Sequence, residues 1–205
     1  MFELLIIRHG ETAWNTSDIV RGRVSIGLSE TGLKQVTLLS EYLRPEKIQA
    51  VYCSPLQRAL QTAEVIARPY GLSTQPLPDL TDLDFGEWEG MAIQDVRTKY
   101  QKIYEQWLEK PDQALIPGGE PLGDARNRAL KALKEIMQRY TDGTVAVITH
   151  RVITKVLACA LLGLDDSHFW NIEQSTCGIT TFIHNGRYFI LTHHNDVSFL
   201  KNFID

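Results

Sequence analysis

Three short apolar runs end in residues that carry chemistry. Leu4-Leu5-Ile6-Ile7 runs straight into Arg8-His9-Gly10. Ile48–Cys53 is followed by Ser54-Pro55, with Arg58 just beyond. Val145–Thr149 leads into His150-Arg151. A guanidinium presents a planar fork that matches a phosphate or carboxylate bidentately. An imidazole beside it can serve as base or nucleophile. If the three runs are neighbouring strands, two imidazoles and at least two guanidiniums converge on one anion site. A phosphoryl group is the occupant that fits such a set best. A histidine there can carry it covalently, while the arginines stabilise charge on its equatorial oxygens. One acid is then needed for the leaving oxygen. The candidates are Asp82, Asp84 and Glu87 in Thr81-Asp82-Leu83-Asp84-Phe85-Gly86-Glu87-Trp88-Glu89-Gly90.

The runs that must position these residues suit central parallel strands covered on both faces. They are Phe2–Ile7, Ile48–Cys53 and Val145–Thr149. Ile179–His184 and Tyr188–Thr192 add two more, joined by an Asn185-Gly186 hairpin turn. Helices fall between them. Ser29 opens one that runs to about Leu43, stopped by Pro45. Ser54-Pro55 reads as an N-cap and first-turn proline opening Leu56–Arg68. Ala125–Tyr140 is amphipathic, and Val152–Leu162 is apolar nearly all round. Thr81–Pro121 reads as helical pieces and loops without a strand, a small cap inserted over one edge of the sheet. The fold class that follows is α/β, a three-layer sandwich with a mostly parallel central sheet and helices on both faces. Ligands bind such sheets beyond the carboxyl ends of the strands, where the arginines and histidines lie.

The chain has 205 residues, a length for one domain with a sizeable core. Its formal net charge of −4 argues against a general nucleic-acid or anionic-membrane binder. Any anion specificity must come from a local cluster of cations. Cys53, Cys159 and Cys177 are odd in number and lack CxxC spacing, against a disulfide framework or zinc site. The simplest expectation is a reducing, cytoplasmic setting with no membrane span. His193 and His194 beside Asp196 lack spaced partner ligands, so no metal is expected. Trp14, Trp88, Trp107 and Trp170 read as core or cap packing, with Trp88 and Trp107 also placed to line an entrance.

Arg8-His9-Gly10-Glu11-Thr12, followed by Asn15, resembles the signature of the histidine phosphatase superfamily, the phosphoglycerate-mutase-like proteins. Ser54-Pro55-Leu56-Gln57-Arg58-Ala59-Leu60-Gln61-Thr62-Ala63 is similar to its second motif. Phe85-Gly86-Glu87-Trp88-Glu89-Gly90, Pro117-Gly118-Gly119-Glu120 and Val147-Ile148-Thr149-His150 follow in the family's order, and the match spans about residues 3–198. The resemblance implies a phosphoglycerate mutase-like fold with His9 as the phosphorylated nucleophile. It implies that Arg8, Arg58 and His150 clamp the phosphoryl group, with Asn15 assisting. It places the proton donor at Asp82, where glutamate is the common residue, with Glu87 as the fallback.

Two further departures stand out. Arg151 replaces the usual glycine after the second histidine. Arg21 stands where glutamine is frequent, and Arg21 and Arg23 are candidates for an additional anionic contact. The implied activity is metal-independent and cofactor-free hydrolysis of a small phosphorylated metabolite. The chain lacks the longer insertions and the Glu-Arg-His-Tyr-Gly-type segment of the resembling cofactor-dependent mutases, which favours hydrolysis over mutase chemistry. A degenerate anion-binding or scaffolding member is the non-enzyme alternative. A homodimer through an edge strand is compatible with the pattern.

Overall fold

The computed structural model describes residues 1–201. Six strands form one sheet in the order β3-β2-β4-β1-β5-β6. They are β1 (Phe2–Arg8), β2 (Ile48–Cys53), β3 (Thr74–Pro76), β4 (Gly143–Thr149), β5 (Ile179–His184) and β6 (Phe189–Asp196). β1 to β4 are mutually parallel, and β5 runs antiparallel to both β1 and β6. The helices are α1 (Ala13–Thr16), α2 (Glu30–Tyr42), α3 (Gln57–Ala67), α4 (Ile93–Lys99), α5 (Gln101–Glu109), α6 (Leu122–Arg139) and α7 (Arg151–Leu161).

Strand pleating sorts the apolar residues of the sheet into two cores. Phe2, Leu4 and Ile6 of β1 join Val145 and Val147 of β4 against α6 and α7. Leu5 and Ile7 face the other way with Ala146 and Ile148, against Val36 and Leu39 of α2 and Ala59, Ala63 and Ile66 of α3. This is the three-layer α/β sandwich, and β1 and β4 read as unbroken apolar runs because both faces are covered. Residues 81–121 contain a 3-10 turn at Gly86–Trp88, then α4 and α5, and no strand. Leu83, Trp88, Val96 and Trp107 from this segment join the core on the α6 and α7 side.

Several boundaries differ from the sequence expectation. The Ser54 hydroxyl accepts from the Leu56 N–H at 3.2 Å, closing a local turn, so the cap of α3 is Leu56 and the helix starts at Gln57. α6 starts three residues early, at Leu122. β6 continues to Asp196 through irregular register, which the loss of alternation after Thr192 had hidden. His193 and His194 therefore lie inside β6, and Thr180 Oγ1 is 3.2 Å from His194 Nδ1. β3 and α1 span three and four residues, too short to leave a periodic signal. The three cysteines are buried as free thiols. Among the described residues no helix is long and apolar enough to cross a membrane.

Candidate active site

Register builds the site. Arg8 and Thr149 are paired at the ends of parallel β1 and β4, so the next residues, His9 and His150, emerge side by side. The His9 N–H donates to the Thr149 carbonyl at 3.0 Å. The two imidazole centroids lie 5.2 Å apart, edge to face. Cys53 of β2 pairs with Ile148 on the other side of β4, and the Ser54 N–H donates to the Ile148 carbonyl at 2.9 Å. That places the first turn of α3, with Arg58, beside the histidines.

His9 is in a defined tautomer. Its Nδ1 lies 2.6 Å from the Gly10 carbonyl, which can only accept, so Nδ1 carries the proton. Its Nε2 accepts from Arg58 Nε at 3.1 Å. Burial, with the charges of Arg58 and Arg8, pushes the His9 pKa well below its ordinary value. The ring is therefore neutral, with a lone pair facing a guanidinium. His150 is also fully buried and held neutral by burial and by Arg58. Neither of its ring nitrogens has a hydrogen-bond partner, and its Nδ1 is 3.7 Å from Asp82 Oδ2. Buried polar atoms are rarely left unpaired, so such nitrogens mark a place for a ligand.

Arg58 is anchored from behind. Nη1 donates to the Val24 carbonyl at 2.8 Å and Nη2 to the Gly22 carbonyl at 2.7 Å, while Nη2 also meets Asp82 Oδ2 at 3.3 Å. Arg8 donates from Nη1 to the Gln174 carbonyl at 2.7 Å, and its buried Nε has no partner. Burial, then the nearby charges of Arg21 and Arg151, bring the Arg8 pKa down to about 9. Asp82 is buried, and burial raises its carboxyl above the ordinary value against the pull of Arg58. Its Oδ1 accepts from the Leu83 N–H at 3.0 Å.

Arg21 and Arg151 border two adjoining cavities together. Among the described residues, neither guanidinium has a carboxylate oxygen within 4.0 Å. Arg151 lies over the Trp170 ring, 5.6 Å from its centroid. The first cavity, of about 330 Å³, has Asp82 in its lining and Phe85, Trp88, Trp107, Phe169 and Trp170 in its walls. Trp88 and Trp107 thus pack the core and border the entrance at once.

Three candidates are placed differently. Glu87 is exposed and accepts from the Tyr100 hydroxyl at 2.5 Å, outside the lining of both cavities. Arg23 is engaged by Asp84 at 3.3 Å and Glu120 at 3.1 Å. Asn15 borders the second cavity, but its side-chain oxygen accepts from the Thr12 N–H at 2.8 Å, capping α1. The sequence reading missed Gln174, whose carbonyl holds Arg8, because a backbone acceptor leaves no mark on residue type. It also missed Arg128 of α6. There a signal existed: a charged residue on the helix stripe between buried Ala125 and Ala132.

A neutral imidazole facing buried guanidiniums, with a carboxyl of raised pKa alongside, is an arrangement suited to phosphoryl transfer. The comparisons give the family. The chain belongs to the histidine phosphatase superfamily (branch 1), whose model matches residues 4–197, and it is a phosphohydrolase of that class. Phosphoserine phosphatase 1 of Hydrogenobacter thermophilus is 36% identical over 171 residues, 83% of this chain and 81% of that protein. A metal-independent phosphoserine phosphatase of Arabidopsis thaliana is 31% identical, over 76% of this chain and 66% of its own length. Among solved structures, Bacillus stearothermophilus YhfR superposes with a TM-score of 0.94 at 27% identity, covering 98% of this chain and 100% of that one. A phosphoserine phosphatase mutant of Entamoeba histolytica in complex with phosphoserine gives 0.88 at 25% identity, with coverage of 98% and 100%.

Proposed function

We propose that the protein hydrolyses a small phosphomonoester in two in-line steps at His9. In the first, His9 Nε2 forms a bond to phosphorus as the ester P–O bond breaks, and Asp82 gives its proton to the leaving oxygen. In the second, water attacks phosphohistidine, the P–N bond breaks, and Asp82 takes the proton of the water. Phosphate leaves and the starting protonation state returns. Arg8, Arg58 and His150 surround the phosphoryl oxygens, and Asn15 borders them with its amide. The observation that carries this reading is the His9 tautomer: Nδ1–H is committed to the Gly10 carbonyl, which leaves the lone pair on Nε2, and Arg58 Nε holds that lone pair until a phosphoryl group takes its place. The raised pKa of Asp82 supports its role as acid, since a carboxyl must stay protonated to donate.

Arg21 and Arg151 extend the reading to the rest of the substrate. Arg8, Arg21, Arg58 and Arg151 bring four positive charges to one region. With Asp82 protonated, a phosphoryl dianion neutralises about two of them. Asp18 and Glu11 border the same cavity and offset part of the remainder, and the positive charge still left favours a second anionic group on the substrate. The relatives named as phosphoserine phosphatases make phosphoserine the first compound to test.

The test uses p-nitrophenyl phosphate with EDTA present. His9→Ala abolishes turnover, and labelled phosphate is trapped on the wild-type protein, but not the variant, after an alkaline quench that preserves phosphohistidine. Equal turnover in the two proteins overturns the mechanism.

A further inference from the structure

Asp82 has no rigid element of its own. It sits in a loop between the 3-10 turn Pro78–Leu80 and the one at Gly86–Trp88. A carboxyl that must meet a leaving oxygen within hydrogen-bond reach needs its backbone held to a fraction of an ångström. The structure shows what holds it.

All five N–H donors of Arg128 are used, and all but two go to carbonyls of that loop and of the 3-10 turn that leads into it. Nη1 donates to the Asp79 carbonyl at 2.9 Å and to the Thr81 carbonyl. Nη2 donates to the carbonyl of Asp82 itself at 3.0 Å. The remaining two donors, on Nε and Nη2, meet the Glu120 carboxylate bidentately at 2.7 and 2.8 Å. Glu120 in turn grips the far side of the loop. Its N–H donates to the Asp84 carbonyl at 2.9 Å, and its Oε2 lies 3.1 Å from Arg23 Nη2. The Arg128 hydrogen bonds hold its carboxyl below the ordinary value against the cost of burial. The segment leading to Glu120 is also joined to this stretch backbone to backbone, the Glu87 N–H donating to the Pro117 carbonyl at 2.9 Å. Gly86 has φ +49°, and a Cβ there would meet the Pro117 carbonyl oxygen at 2.2 Å. Asp82 is thus fixed from behind by Arg128 while its carboxyl faces Arg58 and His150.

We propose that the Arg128–Glu120 pair is a positioning device for the proton-donating carboxyl, so that Arg128 acts on leaving-group protonation without touching the phosphoryl group. The proposal rests on Asp82 being the acid. A planar guanidinium fork with five donors is matched to this task, because the three donors of a lysine ammonium cannot serve three carbonyls and both carboxylate oxygens at once.

The experiment measures kcat/KM, which reports the step that breaks the ester bond, on p-nitrophenyl phosphate and on an alkyl ester, glycerol phosphate. Arg128→Lys, Glu120→Gln and Asp82→Asn are compared with the wild type. A p-nitrophenolate needs little protonation to leave, and an alkoxide needs it fully. Arg128→Lys is expected to lower the alkyl ester by about tenfold or more and p-nitrophenyl phosphate by less than about threefold, as a misplaced acid should. The effect disappears in the Asp82→Asn background, where no acid is left to position. Equal losses on both esters, or no loss, overturn the inference. If Arg128→Lys fails to fold, Glu120→Gln carries the same expectation, because it frees the fork from its anchor. If Asp82→Asn shows no dependence on the leaving group, the assignment of the acid fails instead. If it does and the Arg128 and Glu120 variants do not, only the positioning role is lost.

Discussion

Removing the charge of Arg151 should change which substrates are favoured while leaving phosphoryl chemistry in place. The perturbation is Arg151→Gln, which keeps a polar side chain on most of the stem but removes the cation and its contact with the Trp170 ring. Arg151 is the first residue of α7, directly after His150, and it borders both cavities. A substrate carboxylate at about 4 Å from the guanidinium interacts by about 1 kcal/mol in water and about 4 kcal/mol at an effective dielectric of 20. Arg151 is exposed, so its share lies nearer the lower figure. About 1–2 kcal/mol corresponds to a factor of about 5–30.

The assay pairs O-phosphoserine with O-phosphoethanolamine, which differ by the carboxylate alone, and follows phosphate release. In the variant, kcat/KM for phosphoserine should fall by about 5–30-fold, and that for phosphoethanolamine by less than about threefold. Added salt should erode the preference of the wild type and leave the variant unchanged, because an exposed pair is screened. An equal fall on both compounds would place Arg151 in the phosphoryl cage. No fall on either would refute the charge-balance argument outright.

Stability should depend on the two neutral histidines. Their folded pKa values lie well below 6.5, so their contribution is present above about pH 6.5 and is lost as pH falls toward the folded values, at up to about 2.7 kcal/mol per pH unit for the pair. Thermal melts from pH 7 to 5 in phosphate-free buffer should show this slope, and the double variant His9→Gln/His150→Gln should flatten it; an unchanged slope rejects the idea. Orthovanadate or phosphate at about a hundred times its Kd should raise Tm by about 5–10 °C, and Arg58→Met should abolish the shift. Glu87→Gln should leave kcat/KM on alkyl and aryl esters within about twofold of wild type, because Glu87 is exposed and bonded to Tyr100. A selective loss on alkyl esters would return the acid role to Glu87.

The sequence makes the centre of the site legible and its supports largely illegible, for a physical reason. Arg8, His9 and His150 follow apolar runs, and parallel register turns that one-dimensional fact into a shared strand end. The start of α3 was misread because Ser54 has two local uses for its hydroxyl, a helix cap or a tight turn, and residue type does not choose between them. Asn15 illustrates the same ambiguity: its position invites a phosphate contact, and its oxygen caps α1. Arg128 spends its donors on carbonyls, which every residue has, so nothing downstream in the sequence names its partners.

The proposed acid, Asp82, is where these observations meet. Aspartate is one methylene shorter than the glutamate common at this position, and a shorter arm reaches the same atoms only if its backbone is closer. Asp82 Oδ2 lies 3.3 Å from Arg58 Nη2 and 3.7 Å from His150 Nδ1, so the carboxyl does reach the cage. A short arm also has fewer torsions with which to correct a misplaced backbone. Its geometry therefore depends more heavily on the loop that carries it, and that loop is the one gripped by Arg128 and Glu120. Asp82→Glu should accordingly be a poor exchange in this chain: the longer arm, on a backbone held by Arg128 and with Oδ2 already 3.3 Å from Arg58, crowds that guanidinium. Asp82→Glu combined with Arg128→Lys should recover part of the alkyl-ester activity lost in each single variant, because the loosened loop can retreat by the added length. Strictly additive losses would show that reach and loop position are not coupled.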